Sequence, residues 1–157
     1  FLKEGCYLMN TISPTQLIHE FANPNRTIYD ILYLYGSPDK TASLVASLKQ
    51  EVQNRNPIAT IIHTTGYAFC NDTILHYRQG IQSKICHDYR GDLLIFEDIQ
   101  FVAGKMITEQ ELYGIIDGYL ENNRKIVITG EIPFNCIHCL APRIQAQIAG
   151  GLNLKIE

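Results

Sequence analysis

Four short apolar runs constrain the fold of this chain more than any other feature. They are Ile31-Leu32-Tyr33-Leu34-Tyr35, Ile58-Ala59-Thr60-Ile61-Ile62, Leu93-Leu94-Ile95-Phe96 and Ile126-Val127-Ile128-Thr129. Each is rich in β-branched or aromatic residues, and none alternates cleanly between apolar and polar side chains. A strand with one solvated face alternates, whereas a strand covered on both faces does not need to. The runs therefore predict parallel strands buried between helical layers. A weaker fifth run, Leu152-Asn153-Leu154-Lys155-Ile156, does alternate. Strands are expected over 31–35, 58–64, 92–97, 125–130 and 152–156.

Helical patterns separate these runs. Leu44, Val45, Leu48 and Val52 recur at three- and four-residue steps after Thr41, as on one face of an amphipathic helix. Thr108-Glu109-Gln110-Glu111 reads as a capping box, in which the Thr108 hydroxyl accepts an early backbone N–H and Glu111 reaches back. Leu112, Ile115, Ile116, Tyr119 and Leu120 then share a face, and Asn122-Asn123 closes the helix. The stretch Tyr67–Arg90 holds two shorter helical pieces broken at Gly80. Ser13-Pro14 is a cap and first-turn pair for a helix running to about Phe21, and Asn23-Pro24-Asn25 is the loop that follows it. Strands alternating with helices give a βαβ series with right-handed crossovers.

At 157 residues and 46% hydrophobic content, the chain fits one domain with a substantial core. Residues 1–28 form an N-terminal helix and loop, and 29–157 form the βα core. The formal net charge of −3 means that any nucleic-acid contact must come from a local patch. No apolar run is long enough to predict a membrane span. The five cysteines, Cys6, Cys70, Cys86, Cys136 and Cys139, are odd in number and follow no secretory leader, which implies reduced thiols in the cytoplasm. Cys136-Ile137-His138-Cys139 has the ligand types to begin a zinc site, but no second pair at that spacing completes one. These thiols are expected to pack as small apolar groups, with no metal. His19, His63, His76, His87 and His138 show no nucleophile–base arrangement and read as surface or core histidines. Tyr29, Tyr33 and Tyr35 read as packing residues with a polar tip.

The segment richest in chemistry is Leu93-Leu94-Ile95-Phe96-Glu97-Asp98-Ile99-Gln100-Phe101-Val102-Ala103-Gly104-Lys105. An apolar strand ending in two carboxylates is the Walker-B pattern, which sets one acid near magnesium and the next near an attacking water. The run from Ile99 to Lys105 resembles the sequence that follows the paired aspartates of the bacterial replication initiator DnaA family. The resemblance extends to other blocks. Tyr29–Gly36 is similar to the strand entering that family's phosphate loop. Thr64-Thr65, Phe69, Asn71-Asp72, Ile74, Tyr77–Gly80 and Tyr89-Arg90 follow the paired helices of initiators and helicase loaders. Lys125–Thr129 resembles the sensor-1 strand, and Leu140, Arg143-Ile144 and Gly151-Leu152 the segment carrying the arginine finger. The resemblance implies a three-layer α/β fold of the P-loop NTPase, AAA+-like type, with five parallel strands in the order 5-1-4-3-2.

The departures from the family fall on the chemical positions. A working phosphate loop spaces five residues between its first Gly and its Lys, with Gly just before the Lys. Gly36-Ser37-Pro38-Asp39-Lys40-Thr41 has three residues between them, a Pro without an N–H and an acid in place of that Gly. Gly36, Lys40 and Thr41 are thus vestigial nucleotide-binding positions, and Asp39 is expected to cap the next helix. Glu97 stands where the family has its magnesium-side Asp, and Asp98 remains as the second acid. Glu131 takes a sensor-1 position, and Gln147 aligns with the arginine finger. Lys105 and Thr108 match two residues of the family's single-stranded DNA contact, with Ile107 at the position of its Arg. The family's lid, its second-sensor arginine and its helix-turn-helix domain match nothing in these 157 residues.

The leading expectation is a DnaA-like module of replication initiation that does not hydrolyse ATP and acts through an initiator or replicative helicase. The mixed polar and apolar surface of 67–90, with Asn71, Asp72, His76, Arg78, Gln79 and Lys84, and the region around Arg143 are the candidate partner surfaces. The alternatives are an ATP- and magnesium-binding initiator ATPase domain and a weak single-stranded DNA-binding module.

Overall fold

The computed structural model of the protein describes residues 13–23 and 29–157. Cys6 and the Pro24-Asn25 turn lie outside the described residues. All five apolar runs enter one sheet. Its strands are β1 (Ile31–Gly36), β2 (Ile61–Thr65), β3 (Leu93–Glu97), β4 (Lys125–Gly130) and β5 (Leu152–Ile156). They lie in the order β2-β3-β4-β1-β5, and every adjacent pair is parallel. That is the order 5-1-4-3-2 read from the other edge.

Helices cover both faces: α1 (Pro14–Phe21), α2 (Pro38–Arg55), α3 (Gly66–Arg78), α4 (Ile85–Asp88), α5 (Met106–Glu121) and α6 (Pro142–Ala149). Successive side chains of a strand point to opposite faces, and here each face has its own core. Leu32 and Leu34, Leu93 and Ile95, and Val127 pack on Val45 and Leu48 of α2 and on Leu17, Ile18 and Phe21 of α1. Ile31 and Tyr33, Leu94 and Phe96, and Ile126 and Ile128 pack on Phe69 of α3, Ile115 and Ile116 of α5, and Ile144 and Ile148 of α6. Each such apolar side chain contributes about 1.5–3 kcal/mol on burial. This two-sided demand is why the runs do not alternate. Ser13 caps α1, its hydroxyl accepting from the Gln16 N–H while the Gln16 amide oxygen accepts from the Ser13 N–H, both at 3.2 Å. Among the described residues no helix is long and apolar enough to cross a membrane.

Three local expectations are corrected. The second strand begins at Ile61 rather than 58, because Asn56–Ala59 form a turn closed by an Ala59 N–H to Asn56 carbonyl bond of 3.0 Å, and Ile58 is 91% exposed. Thr108 does not cap α5. That helix starts at Met106 with Lys105 at the cap, which places Thr108 inside the first turn, and Glu111 instead accepts a hydrogen bond from the Tyr77 hydroxyl. Asp39 does not cap α2. Ser37 holds the cap position, without a side-chain bond, and Asp39 sits in the first turn, where its charge complements the helix dipole.

Candidate functional site

The carboxyl ends of the parallel strands share one edge of the sheet, the edge at which open α/β sheets carry their ligands. Gly36 ends β1 and leads into Ser37–Thr41, Glu97 ends β3 with Asp98 after it, and Thr129–Glu131 close β4. The topology therefore brings the three sequence blocks to one edge. Lys105 and Thr108 lie further along, at the start of α5.

Between β1 and α2 there is one residue, Ser37. Gly36 has φ +120°, and a Cβ there would stand 2.1 Å from the Ile156 carbonyl oxygen. Only glycine tolerates this backbone with β5 so close. The Ser37 N–H donates to the same Ile156 oxygen at 2.9 Å, and the Lys40 ammonium donates to the main-chain oxygen of Glu157. The Thr41 hydroxyl is buried and has no hydrogen-bond partner.

Glu97 is engaged. The β2–β3 register sets Thr65 opposite Glu97, so His63 shares the Glu97 face one step along. Its Nε2 lies 2.8 Å from Glu97 Oε2, and its Nδ1 lies 3.3 Å from the Lys49 ammonium on α2. Asp98 adopts a left-handed backbone, φ +57°, which is sparsely populated by non-glycine residues and often marks functional positions. Its N–H donates to the Thr129 hydroxyl at 3.1 Å, and its carboxylate lies 3.4 Å from the Gln100 amide nitrogen. The second acid and the sensor-1 Thr are thus joined through one hydrogen bond. Glu131 is exposed beyond β4. Next to it the buried Tyr33 phenol donates to the Ile132 carbonyl at 2.6 Å, and burial pushes its pKa up.

Gln147 does not project free of the domain. Its amide nitrogen donates to the Tyr113 carbonyl of α5 at 3.3 Å, and the Arg143 guanidinium lies over the Tyr113 ring at 4.6 Å. Thr108 is only 6% exposed, which leaves Lys105 and Ile107 as the solvent-facing members of that patch. Lys105 donates to the Phe101 carbonyl.

Two functional-looking arrangements were not visible in the sequence. Glu109 is buried, and its carboxylate accepts from the Gly104 N–H at 3.1 Å and the Ala141 N–H at 2.5 Å, which ties α5 to the start of α6. His76 is buried between Asp72 and Asp88. Its Nε2 lies 2.9 Å from Asp88 Oδ2 and its Nδ1 lies 2.8 Å from the Asp72 carbonyl, and the Tyr89 hydroxyl donates to the Asp72 carboxylate. The bond to Asp88, followed by that to Asp72, raises the His76 pKa above its ordinary value. The surface expected over 67–90 is therefore altered: His76 turns inward, while Ile74 and Leu75 are exposed beside Asn71, Arg78, Gln79 and Lys84. Among the described thiols Cys70 is buried, whereas Cys86, Cys136 and Cys139 are exposed, contrary to the packing expected of them.

Comparison with known proteins agrees with this architecture. A family model described as the bacterial DnaA ATPase domain matches residues 13–155. The chromosomal replication initiator protein DnaA of Symbiobacterium thermophilum is 31% identical over 136 residues, covering 85% of this chain and 30% of that protein. Domain III of the Thermotoga maritima initiator DnaA superposes with a TM-score of 0.82 at 21% identity, covering 97% of this chain and 62% of that one. A DnaA bound to AMPPCP and single-stranded DNA superposes with a TM-score of 0.78 at 21% identity, covering 92% and 44%. The chain spans about a third of the length of the curated relatives it matches. Its strand order, its block of paired helices and its family match together make the chain a member of the bacterial DnaA ATPase-domain family.

Proposed function

We propose that this domain acts in the initiation of DNA replication, in the cytoplasm, as a DnaA-type module that does not hydrolyse ATP and works through an initiator or replicative helicase. Residues 29–157 serve as its core, with 1–28 leading into it. The observation that carries the reading is the one-residue turn at Ser37. A phosphate cradle needs several successive backbone N–H groups aimed into one concavity. Here the Ser37 N–H is bonded to β5, Pro38 has no N–H, and Asp39 brings negative charge to the helix start that a phosphate would use.

The other vestigial positions support the same reading. Glu97 is paired with His63 rather than free for a metal, and octahedral magnesium tolerates displaced ligands poorly. Gln147 is neutral and bonded within its own domain, so it supplies no charge to a neighbour's phosphoryl group, a contribution worth orders of magnitude in rate. The residues present do not fit magnesium–ATP, and no catalytic step is assigned to Asp98 or Glu131.

The remaining role is by contact, and the exposed Ile74 and Leu75 among polar neighbours on α3 suit a modest, reversible interface. Without an arginine finger, the domain caps an initiator filament rather than extending it. Mixing the domain with the host initiator and measuring filament length and origin opening tests this. Shortened filaments are expected; binding to neither initiator nor helicase, with both readouts unchanged, removes the proposal.

A second reading, nucleotide binding without turnover, is favoured by the buried, unpartnered Thr41 hydroxyl and by the relative solved with AMPPCP. Single-stranded DNA binding, known from that same relative's structure, rests here on Lys105, and one cation contributes little at physiological salt. Oligonucleotide binding that weakens steeply with salt and is lost in Lys105→Ala would favour it.

A further inference from the structure

At the opposite edge of the sheet, where β3 and β4 begin, a cavity of about 350 Å³ opens between α4 and α5. Its walls include Cys86, Arg90, Gly114, Gly118, Glu121 and Arg124. Gly114 and Gly118 are four residues apart and so share one face of α5. A Cβ on Gly118 would meet nothing within 4 Å, and one on Gly114 would meet only the Cys86 sulfur, at 3.8 Å. No neighbour therefore requires glycine at either position. Each glycine inside a helix costs about 0.5–1 kcal/mol relative to alanine, and what the pair leaves in return is open space above a flat helix surface.

The charges around that space are unbalanced. Arg124 is oriented by an Nη1 bond of 2.6 Å to the Gly91 carbonyl, and its nearest carboxylate is Asp92 at a loose 3.9 Å. Among the described residues no carboxylate lies within ion-pair distance of Arg90. Partial desolvation, reinforced by Glu111, pushes the pKa of the Cys86 thiol up despite Arg90 nearby. Glu121 is the one carboxylate in the lining, against two guanidinium groups. Guanidinium groups bind carboxylates and phosphates in a bidentate manner, and the volume falls at the small end of ligand pockets.

We propose that this cavity binds a small organic anion, a phosphate monoester or a carboxylate. Its charged group lies between Arg90 and Arg124, and its body lies on the floor formed by Gly114 and Gly118. Glu121 at the rim accepts from a hydroxyl or amine on that body. The site is separate from the Gly36–Thr41 edge, so it stands or falls independently of the nucleotide reading.

The test is a two-dimensional amide NMR titration of the domain with adenosine 5′-monophosphate, with citrate, and with adenosine as the uncharged control. The Gly114 and Gly118 cross-peaks are expected to move saturably with at least one anion and not with adenosine. Arg90→Ala, at an exposed position, should raise the Kd at least tenfold. Gly118→Leu should abolish the shifts while the rest of the spectrum stays native. Four results would each overturn the proposal: no saturable shift with either anion, equal shifts with adenosine, shifts that survive both substitutions, or shifts confined to the Gly36–Thr41 amides.

Discussion

Replacing Glu109 by Ala probes how α6, with Arg143 and Gln147, is held in place. Glu109 is 6% exposed and accepts two backbone N–H bonds, from Gly104 and from Ala141. A hydrogen bond to a charged group contributes about 1.5–3 kcal/mol; without Glu109 the Ala141 N–H loses its acceptor, while the Gly104 N–H keeps its other bond, to the Cys139 carbonyl at 3.0 Å. One full charged bond and one shared bond give a loss of about 3 kcal/mol for Glu109→Ala. At about 2–4 °C per kcal/mol for a domain of this size, Tm should fall by about 9 °C. Glu109→Gln keeps one acceptor oxygen but turns an NH2 toward the other N–H, and should lose about 2 kcal/mol by the same reasoning. Urea unfolding of the three proteins gives these values directly, and hydrogen exchange should show the Ala141–Gln145 amides opening first. A loss below about 1 kcal/mol for Glu109→Ala, with α6 exchange unchanged, would refute the clamp, because the Ala141 N–H would then lose its charged acceptor at too small a cost.

Gly36→Ala should destabilise the domain by about 2 kcal/mol or more through strain at φ +120° and collision with the Ile156 carbonyl; full stability in thermal unfolding would contradict the structural role given to Gly36. The His76–Asp88 contact should be strongest between pH 3.8 and 6.5. The raised His76 pKa stabilises fully below its unfolded value of 6.5 and is lost as pH rises through the folded value, while the lowered Asp88 pKa stabilises above 3.8 and is lost as pH falls through its folded value. Proton NMR should therefore show His76 titrating above 6.5 and Asp88→Asn bringing it down, and a wild-type value at or below 6.5 would contradict the geometry. Tyr33→Phe removes the bond to the Ile132 carbonyl and should cost about 1 kcal/mol in chemical denaturation, without altering the β1–β4 register.

The sheet was legible because its demand on the sequence is local and repeated. Leu93–Phe96 and Ile126–Ile128 must be apolar at every position when both faces are covered, and that shows in the letters alone. What stayed hidden depends on partners distant in sequence. Thr108-Glu109-Gln110-Glu111 has the letters of a capping box, yet the helix starts three residues earlier, with Lys105 at the cap, and the Glu109 carboxylate turns to Gly104 and to Ala141, 32 residues on. Ile58 looked like strand, but Pro57 and the turn closed on Asn56 leave it in solvent. His63 and Glu97 meet only through the β2–β3 register, and His76 was read as surface because Asp88 reaches it from a second helix. For the candidate site, the irregular letters of Gly36–Thr41 were plain in the sequence. The collision that makes Gly36 serve β5, and the bond holding Gln147 to α5, needed the fold.

On the proposed function, the edge at Gly36–Thr41 does not hold magnesium–ATP. Isothermal titration calorimetry of the domain with ATP, with and without magnesium, decides this. No saturable heat is expected at submillimolar ATP, and no difference between the two titrations. Saturable micromolar binding that strengthens with magnesium and is lost in Lys40→Ala would contradict it.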